Sequence, residues 1–340
     1  MRATVDDMID AFHRDGLRAA TDVYLRATRR GPLSRAGARI VESVLPVTEL
    51  CTALLRYDAA IGTWGVGPGS RAMLEEWDLQ PRCELHPDTW RVLDHEPFLA
   101  FGNHACGLEP ALFNALLTRT DIHYLAGDFV ARVGPNLARV VLPLARPDSP
   151  APTPAGLRAR ALDAVERALW PARDDFAARR ANAAQLARAG RLIGSGGAGV
   201  HVFPSGSLHP GAPWQPGIGH LVRSLARARG TQSSTRPIHL IPMVYGVRDA
   251  HLLAARVLGA HPGMRAAARL RLAVRDPGPY VYADAPVPLD VFLPPGDPLP
   301  PPAVLAERLR ELWLRARAGA DRAIPGWRSA GSVLGPRRLP

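Results

Sequence analysis

Two histidines of this chain are each followed five residues later by an acidic residue. His104 precedes Glu109, and His123 precedes Asp128. A carboxylate that accepts a hydrogen bond from one imidazole nitrogen leaves the other nitrogen to take a proton from a substrate, which is the chemistry of a general base. With 11 histidines in 340 residues, about one such pair is expected by chance. Spacing alone therefore does not choose between the two pairs.

The surroundings of the two histidines differ. An apolar run that predicts a strand, 98–101, ends just before His104, and a predicted helix begins at Glu109. Enzymes with parallel α/β sheets place reactive groups at the carboxyl ends of strands, and Asn103 suits the tight turn that must follow. His123 lies inside the apolar pattern of the next strand, which is typical of a packed or surface side chain. We therefore predict that His104 is the general base and that Glu109 orients it.

Other motifs that would indicate cofactors or metals are weak or missing. The glycine-rich run 194–199 follows a predicted helix and leads into a strand, whereas a dinucleotide-binding loop follows a strand and opens a helix. The run is therefore interpreted as a helix C-cap and turn. The three cysteines form no C-x-x-C pair, which argues against a disulfide framework or a zinc site. We expect neither a metal nor a bound cofactor.

The N-terminal quarter of the chain has the apolar spacing of helices. Residues three and four apart are repeatedly apolar from residue 5 to about 80, which predicts helices that include 35–45, 48–60 and 71–79. The segment 62–69 carries four glycines and a proline, and it is predicted to be a loop. Several helices before any strand indicate an N-terminal helical domain.

From about residue 97 short apolar runs alternate with helical stretches, among them 157–169. This alternation predicts an α/β fold, with a mostly parallel central sheet flanked by helices. The predicted domains are an N-terminal helical domain, 1–85, and an α/β domain, 86–296. A proline-rich segment and a C-terminal helix packed on the main domain, 297–340, complete the chain.

The net charge of +11 on its own points to an anionic partner. The chain contains no lysine, however, and is rich in arginine, glycine and proline, so base composition of the gene is the simpler explanation. Aromatic residues make up only 6% of the chain, and without a stacking platform we expect no nucleic-acid partner. No apolar run approaches the ~18 residues of a membrane helix, and no signal peptide is visible. We expect a cytoplasmic location.

Four blocks of the sequence occur in the order in which they occur in a known family. The blocks are 103–110, 140–146, 202–206 and 240–244. They resemble those of the glycerolipid acyltransferase family, the glycerol-3-phosphate and 1-acylglycerol-3-phosphate O-acyltransferases. In that family the first block is Asn-His, four residues and Asp, and the third contains Phe-Pro-Glu-Gly or Pro-Ser-Gly. Within the family, the chain is most similar to the soluble plastid-type glycerol-3-phosphate acyltransferases, which also carry an N-terminal helical domain.

The resemblance implies an enzyme that transfers a fatty acyl group. The donor would be acyl-CoA or an acyl carrier protein, and the acceptor a hydroxyl of a small glycerophosphate-type lipid precursor. His104 would be the base, with Glu109 in the position of the family's aspartate. An anionic membrane surface is a further implied partner, which the enzyme would meet as a peripheral protein. The implied substrate-binding residues, of which the last three would offer backbone amides to an oxyanion, are Asn103, Arg146, Ser205, Gly206 and Ser207.

The sequence also departs from the family. The arginines that follow the third block in the family are replaced by Ser-Leu-His-Pro at 207–210. Because arginine forks are the usual ligands of phosphate groups, two alternatives stay open. One is an acyltransferase whose acceptor is not a glycerophosphate. The other is a catalytically silent module that binds lipid or a carrier protein.

Overall fold

The computed structural model describes residues 2–29, 31, 36, 47–104, 107–148, 167–206, 214–231, 236–247 and 279–324. The predicted helices at 35–45 and 157–169 lie mostly outside these residues. So do the two residues between His104 and Gly107, and the segment that follows Gly206.

Eleven helices lie in the described parts of the chain. Those described are α1 Arg2–Asp15, α2 Leu17–Arg29, α3 Val47–Trp64, α4 Val66–Glu76, α5 Pro87–His95, α6 Glu109–Ala115, α7 Pro135–Val140, α8 Asp175–Gly196, α9 Gly217–Thr231, α10 Leu289–Phe292 and α11 Pro302–Ala323. The side chain of Asp174 caps the first turn of α8, and Gly197 ends the helix with a φ of 70°. The interpretation of the glycine run as a helix C-cap is thus confirmed. A membrane-spanning helix is not found among the described residues.

The prediction of a loop at 62–69 is wrong. Helices α3 and α4 run through the segment, and only Gly65, with a φ of 85°, lies between them. The glycines here serve close packing, since a Cβ atom on Gly67 would collide with the carbonyl oxygen of Leu117. A cluster of glycines therefore marked a helix contact and not an irregular connection.

The sheet is mixed but mostly parallel. The strands are β1 Arg82–Leu85, β2 Phe98–Gly102, β3 Ile122–Gly127, β4 Val141–Leu144, β5 Arg146–Pro147, β6 Ala172–Arg173, β7 Gly199–Val202, β8 His239–Val247, β9 Pro279–Ala283 and β10 Val287–Pro288. The main sheet has the order β1-β9-β8-β2-β7-β3-β4, and β10 pairs with β8. Strands β8, β2, β7, β3 and β4 are parallel to one another, whereas β9 and β10 are antiparallel to β8. The predicted α/β class with an N-terminal helical region is confirmed.

The strands are apolar on both faces because helices cover each side. In β2, Phe98 and Ala100 belong to a buried cluster shared with α3, α4 and α6. Leu99 and Phe101 belong to a second cluster shared with α8, α9 and α11. This alternation is the pattern of a sheet buried between two helical layers.

The parallel part of the sheet brings the ends of β2 and β7 together. Phe101 of β2 lies opposite Val202 of β7, so the residues that follow these two strands emerge side by side at one edge. They are the residues of the first and third sequence blocks. This edge, at the carboxyl ends of the parallel strands, is where open α/β sheets usually bind ligands.

Candidate active site

The structure brings His104 and Glu109 together. His104 lies just beyond the end of β2, and Glu109 is the first residue of α6. His104 Nδ1 is 3.3 Å from Glu109 Oε2. The His104 side chain is 19% exposed and that of Glu109 is fully buried. An ionised Glu109 can only accept, so His104 Nδ1–H would then be the donor, and Nε2 would be the ring nitrogen that takes a proton from a substrate.

The carboxylate of Glu109 is held by the turn in which it lies. The backbone N–H of Gly107 donates to Glu109 Oε1 at 3.1 Å. Gly107 has a φ of 82°, a left-handed conformation that glycine adopts without strain. Glu109 Oε1 thus accepts from the backbone of the turn, and Oε2 faces the imidazole. The hydrogen bond from Gly107 therefore holds the carboxylate in place beside His104.

Asn103 ties the end of β2 to β8. Its Nδ2 donates to the carbonyl oxygen of Tyr245 at 3.0 Å, and the N–H of Tyr245 donates to Asn103 Oδ1 at 3.0 Å. Both ends of the amide are therefore engaged by the backbone of the neighbouring strand. Asn103, predicted to bind substrate, occupies a position that fixes the start of the loop carrying His104.

Phe203, which directly follows β7, supports the imidazole of His104. The two rings are stacked, with centroids 3.8 Å apart and planes 27° from parallel. One face of the His104 ring is thus covered by Phe203 while its edge meets Glu109. A ring held at a face and an edge has little freedom to rotate, which is what a positioned base requires.

The third sequence block forms a tight turn beside this pair. The N–H of Gly206 donates to the carbonyl oxygen of Phe203 at 2.9 Å, and Gly206 has a φ of 59°. That N–H is therefore occupied by the turn, so the prediction that Gly206 offers its amide to an oxyanion disagrees with the geometry. Ser205 lies within the turn and is partly buried, and Ser207 lies outside the described residues.

Arg146 lies at the same edge of the sheet but not against His104. It follows β4, which is three strands away from β2, a separation of about 14 Å at the usual strand spacing. Its Nη1 is buried and has no hydrogen-bond partner in the described parts of the chain. A buried guanidinium N–H without an acceptor is costly, so this atom is suited to an anionic ligand.

The second His–acid pair of the sequence does not form. Asp128 accepts from Arg173 Nη2 at 2.5 Å. His123 is partly buried, and its pKa is lowered by burial first and by the charge of Arg188 second. The interpretation of His123 as a packed histidine within a strand agrees with this placement.

A buried histidine near the dyad was missed from sequence. His201 of β7 is fully buried, and its Nε2 is 2.9 Å from Tyr245 Oη. The pKa of His201 is lowered to about 3, chiefly by burial and also by the nearby His104, against an opposing effect of Glu109. His201 is therefore neutral at physiological pH. The available signal was a lone polar residue between two valines of an otherwise apolar strand.

This burial predicts a pH-dependent stability. The pKa of His201 is about 3 in the fold and 6.5 in a free side chain. Between these values the unfolded chain binds the extra proton, so stability is complete above about pH 6.5 and is lost as the pH falls toward 3. The loss from pH 8 to pH 5 is about 2 kcal/mol. Urea unfolding at both pH values should show a loss about 2 kcal/mol smaller in His201→Gln than in the wild type. An equal loss in both proteins would contradict a neutral buried His201.

Among the described residues no cluster of histidine, cysteine and carboxylate side chains is arranged to hold a metal ion. No protein-family model matches the chain, and no curated protein is significantly similar to it.

Proposed function

We propose that the protein is an acyltransferase that moves a fatty acyl group from acyl-CoA or an acyl carrier protein to a hydroxyl of a glycerophosphate-type lipid precursor. The observation that carries the proposal is the His104–Glu109 pair. The carboxylate is fully buried, and the imidazole is partly exposed at the carboxyl edge of the sheet. The resemblance of the four sequence blocks to glycerolipid acyltransferases supplies the substrate class.

In the proposed reaction His104 Nε2 removes the proton of the acceptor hydroxyl while its oxygen attacks the thioester carbonyl. The new C–O bond gives a tetrahedral intermediate, which collapses as the C–S bond breaks. The imidazolium returns its proton to the leaving thiolate, so the products are an ester and a free thiol. Glu109 keeps the imidazole in one tautomer and stabilises the positive charge that it acquires. No covalent acyl-enzyme is needed.

Arg146 is the proposed site for the negative charge of the acceptor. Its buried Nη1 would donate a charge-assisted hydrogen bond to a phosphate oxygen. The ends of β2 and β4 are about 14 Å apart. A small acceptor whose hydroxyl lies at His104 would therefore reach Arg146 only if the acceptor extended along the carboxyl ends of the strands between them. An acceptor that is not a glycerophosphate therefore stays a second candidate, favoured by the residues at 207–210.

The proposed donors and surroundings come from the resemblance, and the charge of the protein is compatible with them. CoA, acyl carrier proteins and anionic lipid head groups are all negative, and a protein of net charge +11 attracts them electrostatically. We propose a cytoplasmic enzyme that meets its lipid products at a membrane surface. The resemblance supports this proposal, and no cofactor is required by the chemistry.

The test is acceptor-dependent thiol release. Acyl-CoA and acyl-carrier-protein donors are each incubated with glycerol-3-phosphate, lysophosphatidate, glycerol or no acceptor, and the His104→Ala variant gives the background. Release that rises with either phosphate acceptor and not with glycerol supports the proposal. Release that depends on His104 but is equal with and without phosphate acceptors would contradict a glycerophosphate acceptor. Release at the background level across a broad acceptor panel would leave only a binding module.

Substitution of Arg146 tests the acceptor site by itself. Arg146→Gln is expected to raise the KM for the phosphate acceptor about tenfold, the equivalent of one charge-assisted hydrogen bond, with the KM for the donor within twofold. Arg173→Gln is the matched control, because Arg173 lies on the paired strand β6 and its partner is Asp128. A similar KM in both variants would show that Arg146 does not bind the acceptor.

A further inference from the structure

A layer of aromatic and imidazole rings lies directly beneath the catalytic pair. The ring of His201 stacks on Phe113, with centroids 4.5 Å apart, and meets the ring of Phe203 edge to face at 4.6 Å. Phe203 in turn carries the stacked ring of His104. His201 therefore supports, from the interior, the ring on which the proposed base lies.

Tyr245 of β8 contacts this layer in three ways. Its backbone makes the two hydrogen bonds with Asn103, the residue before His104. Its ring approaches the end of β2 so closely that a Cβ atom on Gly102 would lie 2.8 Å from Tyr245 Cε2. Its hydroxyl bonds to His201 Nε2 at 2.9 Å. One residue thus connects the loop that carries His104 with the ring that supports it.

We propose, on the basis of the function proposed above, that Tyr245 and His201 are positioning residues for His104. The hydrogen bond between Tyr245 Oη and His201 Nε2 holds the His201 ring in the orientation that supports Phe203. Phe203 then holds the His104 imidazole against Glu109. Neither Tyr245 nor His201 has to touch the substrate.

The chemistry of the pair suits this role. Two apolar side chains would fill the same volume, but they would not fix the rotation of a ring, whereas a hydrogen bond has a preferred direction. Both groups are also uncharged, since burial lowers the pKa of His201 and raises the pKa of Tyr245. A neutral His201 does not compete with His104 for the charge of Glu109. It also does not oppose the imidazolium that forms during catalysis.

The test compares two buried tyrosines. Tyr245→Phe removes the hydroxyl that bonds to His201, and Tyr124→Phe removes an equally buried hydroxyl that bonds to Asn114. We expect Tyr245→Phe to lower kcat about tenfold with the KM values within twofold. We expect Tyr124→Phe to keep kcat within twofold of the wild type at a similar loss of melting temperature. Equal kcat values in the two variants would overturn the proposal.

A second measurement does not depend on activity. At a pH where His104 is neutral, nitrogen NMR of labelled histidine should place its proton on Nδ1 in the wild type, because Glu109 accepts that proton. His104→Ala identifies the signal. Tyr245→Phe should give a mixture of tautomers and Tyr124→Phe a single one. A single tautomer in Tyr245→Phe would overturn the positioning role.

Thiol release and the NMR comparison together distinguish a failure of the proposed acyl transfer from a failure of the proposed positioning role. If the wild type shows no thiol release that depends on His104, the proposed acyl transfer is wrong, while the NMR comparison still decides whether Tyr245 positions His104. If release is normal and the Tyr245→Phe variant is fully active with one tautomer, the acyl transfer stands and the positioning role is wrong.

Discussion

The His104→Ala variant is expected to release thiol from the acyl donor about 10³-fold more slowly than the wild type in the presence of acceptor. A positioned general base contributes about 10² to 10⁴ to a rate. The nearby His201 cannot replace His104, because it is fully buried and bonded to Tyr245. The KM values should change little, because the base acts on the hydroxyl proton mainly in the transition state. Steady-state kinetics with the best donor and acceptor measures both quantities.

Two controls test whether a loss of activity in His104→Ala comes from the missing imidazole and not from unfolding. His104 is partly exposed and packs on one face against Phe203, so its loss should lower the melting temperature by no more than a few degrees. His123→Ala removes a partly buried histidine of the next strand and should keep kcat within twofold. A His104→Ala protein that is folded and retains more than a tenth of wild-type kcat would exclude His104 as the base.

The contact between His104 and Glu109 could be predicted from the sequence because the relevant information is local. His104 and Glu109 are five residues apart, between an apolar strand and a helix, and a single turn brings them together. The strands and the helix C-cap at Gly197 were predictable for the same reason. Short sequence patterns predict the structure of short segments, and for these segments the structure agrees with the prediction.

The parts that were missed depend on contacts between distant segments. The glycines at 62–69 look like a loop until Leu117, about 50 residues later, is found packed against Gly67. The importance of His201 appears only when β7 is placed between β2 and β3. Strand order is set by the packing of the whole sheet, and apolar runs of similar composition do not encode it.

The third sequence block shows how residues can be placed correctly while one predicted contact is not made. The Pro-Ser-Gly block does lie beside His104, through the pairing of β2 with β7. The amide of Gly206, however, is used by the turn itself. A motif predicts which residues meet, whereas the direction of each N–H depends on backbone angles that residue types alone do not specify.

Asn103, the residue before His104, joins the end of β2 to β8. Its amide replaces a pair of strand hydrogen bonds between the end of β2 and Tyr245. The chain can therefore leave the sheet at His104 without leaving the backbone groups of Tyr245 unpaired. This is how a loop residue acquires the rigidity of a strand, which a positioned base needs.

Replacement of Glu109 by glutamine is expected to lower kcat about 10²- to 10³-fold, the second largest effect. The amide side chain would retain the size of the carboxylate but lose the charge that stabilises the imidazolium, and its NH₂ group would favour the wrong tautomer of His104. Glu109→Asp keeps the charge but is one methylene shorter. A side chain that now reaches Gly107 at 3.1 Å and His104 at 3.3 Å would no longer reach both, so we expect about a tenfold loss.

The order of these variants distinguishes a catalytic carboxylate from a structural one. An amide costs less to bury than a charge, so Glu109→Gln should unfold at no lower urea concentration than Glu109→Asp while being the less active of the two. Glu307→Gln makes the same carboxylate-to-amide change at an exposed glutamate paired with Arg310, and it should keep wild-type kcat. If Glu109→Gln retained a third of the activity, or if activity followed stability across the series, Glu109 would merely shape the turn. His104 would then act as a base without its support.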